Sequence, residues 1–411
     1  MVSFLGLTVL VLAAAPLCYY LFALYCVIDF FRVPIAQTNT DTGDSVLADF
    51  SATSGASGRA VLPISVLKPV CGVDHEAYEN FASFCRLDYP DYELLFGVAN
   101  PADPVIAVIR KVQQDFPTRR IRIITPIPAV GNNRKVSVLC RLVEEASHQL
   151  VMMSDSDVRA DKNLLRKVVA AFRERNVGGA TCFYRSIAPE IFSGRLNSLG
   201  MATDSLPGAL SARKIEGGTH FAFGWMMATT KRHLSEIGGW RAMADHHSDD
   251  FELGNRLARA GYKVELLQET VDMIFPEESI AAYLRHELRW AIGLRNVRPT
   301  AYWGLLLTQG LPWSAFAVAT TWLLHWPKAI ALTYSLGYVA LRMVTVWIAG
   351  VWGLHDPAVR KNLWLVPVRD AISFAVWIAG CFCREIRWRG TAYRVEKRLL
   401  VPVQTEGTAR H

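Results

Sequence analysis

The chain has 411 residues, 51% of them hydrophobic, with 12 Trp and a net charge of +7 from 44 basic and 37 acidic side chains. That length allows one large or two small domains, and the apolar content excludes a wholly water-borne protein. The basic residues cluster beside apolar ones (Arg285, Arg289, Arg295 and Arg298, then Arg384, Arg387, Arg389, Arg394, Lys397 and Arg398), which suits an anionic bilayer surface and not nucleic acid.

Residues 4–28 are almost uncharged and long enough to span a bilayer. No basic n-region precedes them and no small-residue cleavage site follows, so residues 1–31 are predicted to form a retained anchor and not a signal peptide. Residues 32–60, rich in Ser, Thr, Gly, Ala and Asp, are predicted to be a flexible linker. The eight cysteines are scattered without a disulfide or zinc spacing, which points to a reducing, cytosol-facing soluble part.

From residue 61 to 278, apolar runs alternate with amphipathic ones. Strands are expected at 62–67, 92–98, 121–125, 150–154, 179–182 and 263–267. Helices are expected at 75–86, 104–116, 135–148, 162–173, 231–237 and 250–260. This alternation predicts an α/β domain with a mixed, mostly parallel sheet. The stretch that organises it is Val151-Met-Met-Ser-Asp155-Ser-Asp157, an apolar run ending in two carboxylates spaced i, i+2. At a strand end that spacing points both to one side, in the crevice where open α/β sheets bind ligands. Two such carboxylates suit a hard ion, Mn²⁺ or Mg²⁺, shared with a diphosphate. A capping pair or a solvated turn is the alternative.

Four further stretches bear on chemistry. Lys68-Pro69-Val70-Cys71-Gly72 follows the first strand and offers a turn and a cation to a nucleotide phosphate. Gly97-Val-Ala-Asn100-Pro-Ala-Asp103-Pro104 follows the second and places Asn100 and Asp103 where a base or ribose is read. Asp103 with Pro104 is also a good helix start. Gly131-Asn132-Asn133-Arg134-Lys135 opens a helix, and its amides and Lys135 suit a diphosphate. Ser248-Asp249-Asp250-Phe-Glu252 puts acids at a helix N-terminus, where capping is the ordinary role and a general base, Asp250, the chemical one.

Beyond residue 278 the character changes. Residues 279–300 mix Arg, Trp and aliphatics at helical spacing and are predicted to form an interfacial helix. It carries His286, Arg289 and Trp290 on neighbouring helical positions, suited to a diphosphate and the border of an acceptor site. Residues 301–385 form a membrane region with candidate spans at 302–324, 330–351 and 363–383. Arg369-Asp370 in the last is costly in hydrocarbon unless paired or buried in protein. Two spans and one non-spanning segment would leave the basic tail, 386–411, on the cytosolic side.

In this order, Lys68-Pro-x-x-Gly72, Asp155-Ser-Asp157, Asp249-Asp250 and His286-x-x-Arg289-Trp290, flanked by apolar segments, resemble the ceramide glucosyltransferase family. Cys85-Arg-Leu-Asp88-Tyr-Pro90, Gly131–135 and Trp388-Arg-Gly-Thr-Ala-Tyr-Arg394 extend the likeness, which looks closest to bacterial hopanoid-biosynthesis glycosyltransferases. The resemblance implies a GT-A catalytic domain between N-terminal and C-terminal transmembrane helices. It also implies inverting transfer of glucose or N-acetylglucosamine from a UDP-sugar to a membrane lipid hydroxyl, of ceramide or a hopanoid. Asp155 and Asp157 would hold Mn²⁺ or Mg²⁺. Asp250 would be the base. Lys68, Asn100, Asp103, Lys135 and Asp155 would bind the donor, and His286, Arg289 and Trp290 would bind diphosphate and acceptor. The chain departs from the family pattern at Asn100, where an acid is expected, and at His286, where Gln or Arg is usual. A processive synthase, a metal-dependent hydrolase and a catalytically silent nucleotide-binding scaffold are the competing readings. The expected setting is a multi-pass membrane protein with its catalytic domain facing the cytoplasm.

Overall fold

The computed structural model describes residues 2–32, 62–174 and 176–403; the predicted linker, apart from Arg32, lies outside them. Internal contacts divide the chain into two units, one built from 62–187 and 215–276, the other from 2–32, 188–214 and 277–403.

The first unit is an α/β domain. Its strands are β1 (Ile64–Val70), β2 (Tyr92–Val98), β3 (Arg120–Ile124), β4 (Leu150–Met153), β5 (Val158–Arg159), β6 (Val177–Ile187), β7 (Met227–Thr230) and β8 (Lys263–Ile274). They form one sheet in the order β3-β2-β1-β4-β7-β6-β8-β5. Every residue of β1, β2 and β4 is buried, as helices on both faces of a parallel sheet require. The β3-β2-β1-β4 half is parallel; β7 lies antiparallel between β4 and β6, and β5 pairs antiparallel with β8. The six expected strands are all present. β7 and β5 were not expected: β5 has two residues, and β7, Met-Ala-Thr-Thr, lacks the continuous apolar run that marks β4.

Because β1, β2 and β4 run in parallel, the loops after them open at one edge of the sheet, where α/β folds bind ligands. The helix Arg134–Glu145 presses Val136, Leu139 and Leu142 into the core behind that edge. It lies so close to β2 that a methyl group added at Gly97 would stand 2.4 Å from Val138 Cγ1. A glycine there is what lets helix and strand meet.

The second unit holds three helices long and apolar enough to cross a membrane, Phe4–Arg32, Lys328–Gly353 and Pro357–Phe382. The expected span at 302–324 is not one helix. It breaks into Pro299–Gly304, a 3₁₀ turn at Leu305–Thr308 and the 14-residue Gly310–Leu323, about 21 Å long and short of a bilayer core. Gln309, Gly310 and Pro312 interrupt the helix there, although the run is apolar enough on average. The segment 363–383, doubted for its Arg369-Asp370 pair, belongs to a helix of spanning length instead.

Its charges are buried and paired. Arg342 meets Asp370 at 2.6 Å, and Tyr338 donates to the same carboxylate at 2.8 Å. Arg369 meets Glu287 at 2.7 Å and Asp204 at 3.3 Å. A guanidinium removed from water needs such partners, since the desolvation cost exceeds any single contact. Residues 386–402 are not a plain tail. They form a three-stranded antiparallel sheet, β9 (Glu385–Trp388), β10 (Thr391–Glu396) and β11 (Leu399–Pro402), because Ile386, Tyr393, Val395 and Leu400 alternate onto one face and pack with Ile292.

Removing Asp370 takes from the buried Arg342 its nearest carboxylate and leaves it only Asp204, at 3.3 Å, as a charged partner among the described residues. Asp370→Leu is expected to lower stability by about 3 kcal/mol. The double change Arg342→Met with Asp370→Leu should recover much of it. Thermal unfolding of the three proteins in detergent micelles checks this, and a double variant no more stable than the single would contradict it.

Candidate active site

β4 ends at Met153, and Ser154 N still donates to Leu67 O of β1 at 3.1 Å. The chain then turns through Asp155, Ser156 and Asp157 before β5, where Ile274 N donates to Asp157 O at 2.8 Å. The two aspartates therefore sit on a turn between strands with different neighbours. The expected single strand face is replaced by a loop that projects from the ligand-binding edge of the sheet. Asp155 keeps about a third of its side chain exposed.

Lys68 stands behind this turn, fully buried on β1. Its ammonium donates to Ser154 Oγ at 3.3 Å and lies 3.6 Å from the centre of the Phe84 ring. Burial pushes its pKa down to about 7, opposed by the charges of Asp157, Asp155 and Asp74. In this structure Lys68 faces the acidic turn from within the protein, not an open phosphate groove.

The loop before Arg134–Glu145 is fastened to the distant stretch at 244–249. Asn133 caps the helix by accepting from Val136 N at 3.1 Å, its backbone N donates to Ala244 O at 2.8 Å, and its amide donates to His246 O at 2.8 Å. Asn132 N donates to Asp245 Oδ1 at 2.8 Å. A methyl group at Gly131 would collide with Ala244 O at 2.5 Å, which explains the glycine. The amides foreseen as a diphosphate cradle are thus partly committed to this joint. The joint delivers Lys135, whose ammonium lies 2.7 Å from Asp155 and 3.5 Å from Asp249. Burial works against its charge, but Asp155 and Asp249 outweigh that and raise its pKa above the usual lysine value.

The helix Asp249–Arg259 starts one residue earlier than its sequence pattern suggested. Asp250 accepts from Gly224 N at 3.0 Å through Oδ2 and from Phe251 N at 2.8 Å through Oδ1. The helix itself is set down on the backbone of Phe221 and Ala222, since a methyl group at Gly254 would lie 2.1 Å from Phe221 C. Burial, then the charge of neighbouring Asp249, raises the Asp250 pKa to about 6, against the pull of Lys135 and the two amides. One point measures the convergence. A methyl group added at Gly224 would lie 3.1 Å from Lys135 Nζ, 3.4 Å from Asp155 Oδ2 and 3.4 Å from Asp250 Oδ2. Residues more than a hundred positions apart thus meet around one glycine, with the stacked rings of Phe223 and Trp225 on either side of it in the chain.

The loops after β1 and β2 lie at the same sheet edge. Asp103 Oδ2 accepts from Gly72 N at 2.8 Å and joins the loops after β1 and β2. Asp103 Oδ1 accepts from Val105 N at 3.0 Å, and the helix Val105–Asp115 begins one residue beyond the expected Pro104. Asn100 is exposed and accepts from Ala102 N at 3.0 Å.

In the other unit, the helix Ile280–Val297 carries the basic-aromatic motif. His286 and Trp290 pack with ring centres 4.6 Å apart. Burial and the charge of Arg289 lower the His286 pKa to about 4, so the ring is neutral at physiological pH.

Among the described residues, no three His, Cys, Asp or Glu side chains converge as a metal cage. Asp155 and Asp157 offer hard oxygen donors on one turn, which suits an ion that takes its remaining ligands from a diphosphate and water. Reading the sequence missed Gly224 and the part played by Asp249. Gly224 carries no local signature, and only its position between the two acids makes it matter.

The profile described as glycosyl transferase family 21 matches residues 8–400. Ceramide glucosyltransferase 3 of Caenorhabditis elegans is 24% identical over 229 residues, 55% of this chain and 49% of that protein. Ceramide glucosyltransferase 1 of the same organism is 23% identical over 354 residues, 81% and 71%. Beta-monoglucosyldiacylglycerol synthase of Synechocystis sp. is 26% identical over 294 residues, 66% and 58%. The chain thus spans about half the length of the first of these relatives and more of the others. A mannosyltransferase from Pyrobaculum calidifontis in complex with GDP-Man and Mn²⁺ superposes with a TM-score of 0.53 at 14% identity, over 92% of this chain and 99% of that one. The likeness identifies the fold of the α/β unit as GT-A. By the extent of the profile match, the chain belongs to glycosyl transferase family 21.

Proposed function

We propose that the protein transfers a hexose, glucose or N-acetylglucosamine, from a UDP-sugar to the hydroxyl of a membrane lipid, with inversion at the anomeric carbon. The observation that carries this reading is the meeting of Lys135, Asp155 and Asp250 around Gly224. It sets a donor-side carboxylate and a raised-pKa carboxylate within one small space, joined by one ammonium. The lipid class of the acceptor rests on family membership and on relatives named for ceramide and diacylglycerol glycosylation. Ceramide and a hydroxylated hopanoid each offer a hydroxyl that can attack the anomeric carbon.

Asp250 accepts the proton of the lipid hydroxyl as its oxygen attacks the anomeric carbon from the side opposite UDP. The new C–O bond forms as the bond to the diphosphate breaks, so one displacement gives inversion. Asp250 suits this role because the amides of Gly224 and Phe251 hold both its oxygens while burial keeps it basic enough to take a proton near neutrality. Asp155 and Asp157 would hold Mn²⁺ or Mg²⁺, which when bound supplies positive charge to the leaving diphosphate. Lys135 adds a second cation on the Asp155 side. Lys68 offsets the charge of the acidic turn from inside the sheet. Asp103 orders the loops that would border the nucleoside, with Asn100 as an exposed hydrogen-bonding group. His286, Arg289 and Trp290 would bind diphosphate and acceptor, the neutral His286 as a donor through one ring nitrogen. The eight free cysteines suit a catalytic domain in the cytoplasm, and the three candidate spans suit a multi-pass membrane protein.

Purified protein incubated with Mn²⁺ and UDP-sugar, with and without lipid, tests the reading. Transfer must need lipid. Sugar release at equal rate in its absence would mark a hydrolase, and no turnover a scaffold. Asp250→Asn should cut transfer by at least about a hundredfold while UDP-sugar binding, followed by calorimetry, stays largely intact; full activity removes the base assignment. The same carboxyl sets the acid limb of the pH profile. The base is the deprotonated form, so transfer should be level above about pH 6 and fall about tenfold per pH unit below it. A profile flat down to pH 4.5 contradicts this. Gly224→Ala places a methyl group among the three charges. It should lower kcat by on the order of a hundredfold with the fold retained by circular dichroism.

A further inference from the structure

The motif helix Ile280–Val297 is gripped at two points by one buried guanidinium. Arg369, on the helix Val366–Phe382, is 3% exposed. One of its terminal nitrogens lies 2.7 Å from Glu287 Oε2, and the other donates to the hydroxyl of Tyr283. The guanidinium also lies 5.6 Å from the Tyr283 ring centre. The nitrogen that meets Glu287 also reaches Asp204 at 3.3 Å, and Ser373 donates to the same Asp204 oxygen at 3.0 Å. Asp204 sits in the π-helical turn Met201–Ser205 and meets Arg342 at 3.3 Å through its other oxygen. Arg369 is therefore tied to a third element as well.

Tyr283 and Glu287 are four residues apart, one above the other on a single helix face. Two contacts one turn apart, made to a single rigid planar group, fix the rotation of the helix about its own axis as well as its height. At about 100° per residue, the face bearing His286, Arg289 and Trp290 lies roughly a quarter turn from the gripped face. A small rotation of the helix would swing Arg289 by several ångströms, and Arg289 is the residue that must meet a phosphate oxygen. The pairing also costs desolvation of two charges, which an apolar contact would avoid. A directional ion pair at this place is explained by a need for one orientation.

We propose that Glu287 and Arg369, with Tyr283, are positioning residues for the reaction: they set the orientation at which Arg289 is presented to the donor diphosphate. This rests on the reading of the motif as the diphosphate site given above. None of the three touches the reacting atoms. The side chain of Glu287 lies within the motif as one of its two unspecified positions, so its role is carried by its partner and not by the motif's pattern.

The test is steady-state kinetics of the full chain in lipid nanodiscs, with UDP-sugar varied at saturating lipid and the reverse. Glu287→Ala should raise KM for the UDP-sugar about tenfold and leave KM for the lipid within about twofold. Glu287→Gln keeps an oxygen that accepts from Arg369 and should restore most of the donor affinity. Tyr283→Phe, which removes only a hydroxyl, should shift donor KM in the same direction by a smaller factor, and it carries the test if Glu287→Ala does not fold. The decisive comparison is the double variant. If Glu287 acts through Arg289, its removal adds less than about twofold to Arg289→Ala. Additive losses, or a lowered melting temperature with both KM values unchanged, overturn the inference. A donor KM that rises in Arg289→Ala but in neither Glu287→Ala nor Tyr283→Phe overturns it alone. A donor KM unmoved in Arg289→Ala overturns the reading of the motif and this inference with it.

Discussion

The α/β unit depends on one ammonium group. Lys135 stands between Asp155 and Asp249, with Asp250 beside them, and without it three carboxylates would repel at close range in a buried place. The ammonium is delivered by a joint of backbone hydrogen bonds between two loops more than a hundred residues apart. Asn133 serves that joint three times over, as a cap, a backbone donor and a side-chain donor. The arrangement keeps the charges close before any donor arrives, which is what an enzyme needs if its groups are not to reorganise during the reaction.

The same ammonium divides the acids by role. Asp155 is partly exposed and lies 2.7 Å from the ammonium. Asp250, deeper and next to another carboxylate, is pushed toward a pKa at which it both loses and gains a proton near neutrality. Two acids with different environments can thus do different work within one pocket. Gly224 is the mechanical condition for this. Its amide holds Asp250, and its missing side chain leaves the space in which the three groups meet.

The membrane-side unit follows a related logic with different ends. Arg342, Arg369, Asp204, Asp370 and Glu287 form a chain of ion pairs among otherwise apolar helices. Such a chain contributes little net stability compared with well-packed aliphatics, because desolvation offsets most of the attraction. What it does supply is direction, since each guanidinium accepts its partners in only one geometry. Helices that slide easily against one another through apolar contacts are thereby given a register. A GT-A fold hosts many substrates. The lipid acceptor proposed above rests on the family and on the relatives' names, not on the sheet.

Much of the architecture was legible in the residues themselves. Fully buried parallel strands are continuous apolar runs, so β1, β2, β4 and their neighbours stood out, as did the first spanning helix and the order of the acidic motifs. These signals are local: each depends on residues a few positions apart. The span expected at 302–324 failed for a local reason too, because average apolarity hides a helix break. The small sheet at 385–402 was not foreseen, because strands of four to six residues are too short to show alternation. The sequence also offered Asp155, Asp157 and Asp250 as candidates for one reaction. That Asp155 and Asp250 share a space with Lys135, that Gly224 marks its centre, and that Arg369 grips Glu287 were decided by the tertiary structure alone. Those are contacts between distant segments, and their geometry is set by how the sheet orders its strands and where a helix touches bare backbone, neither of which any short stretch of residues encodes.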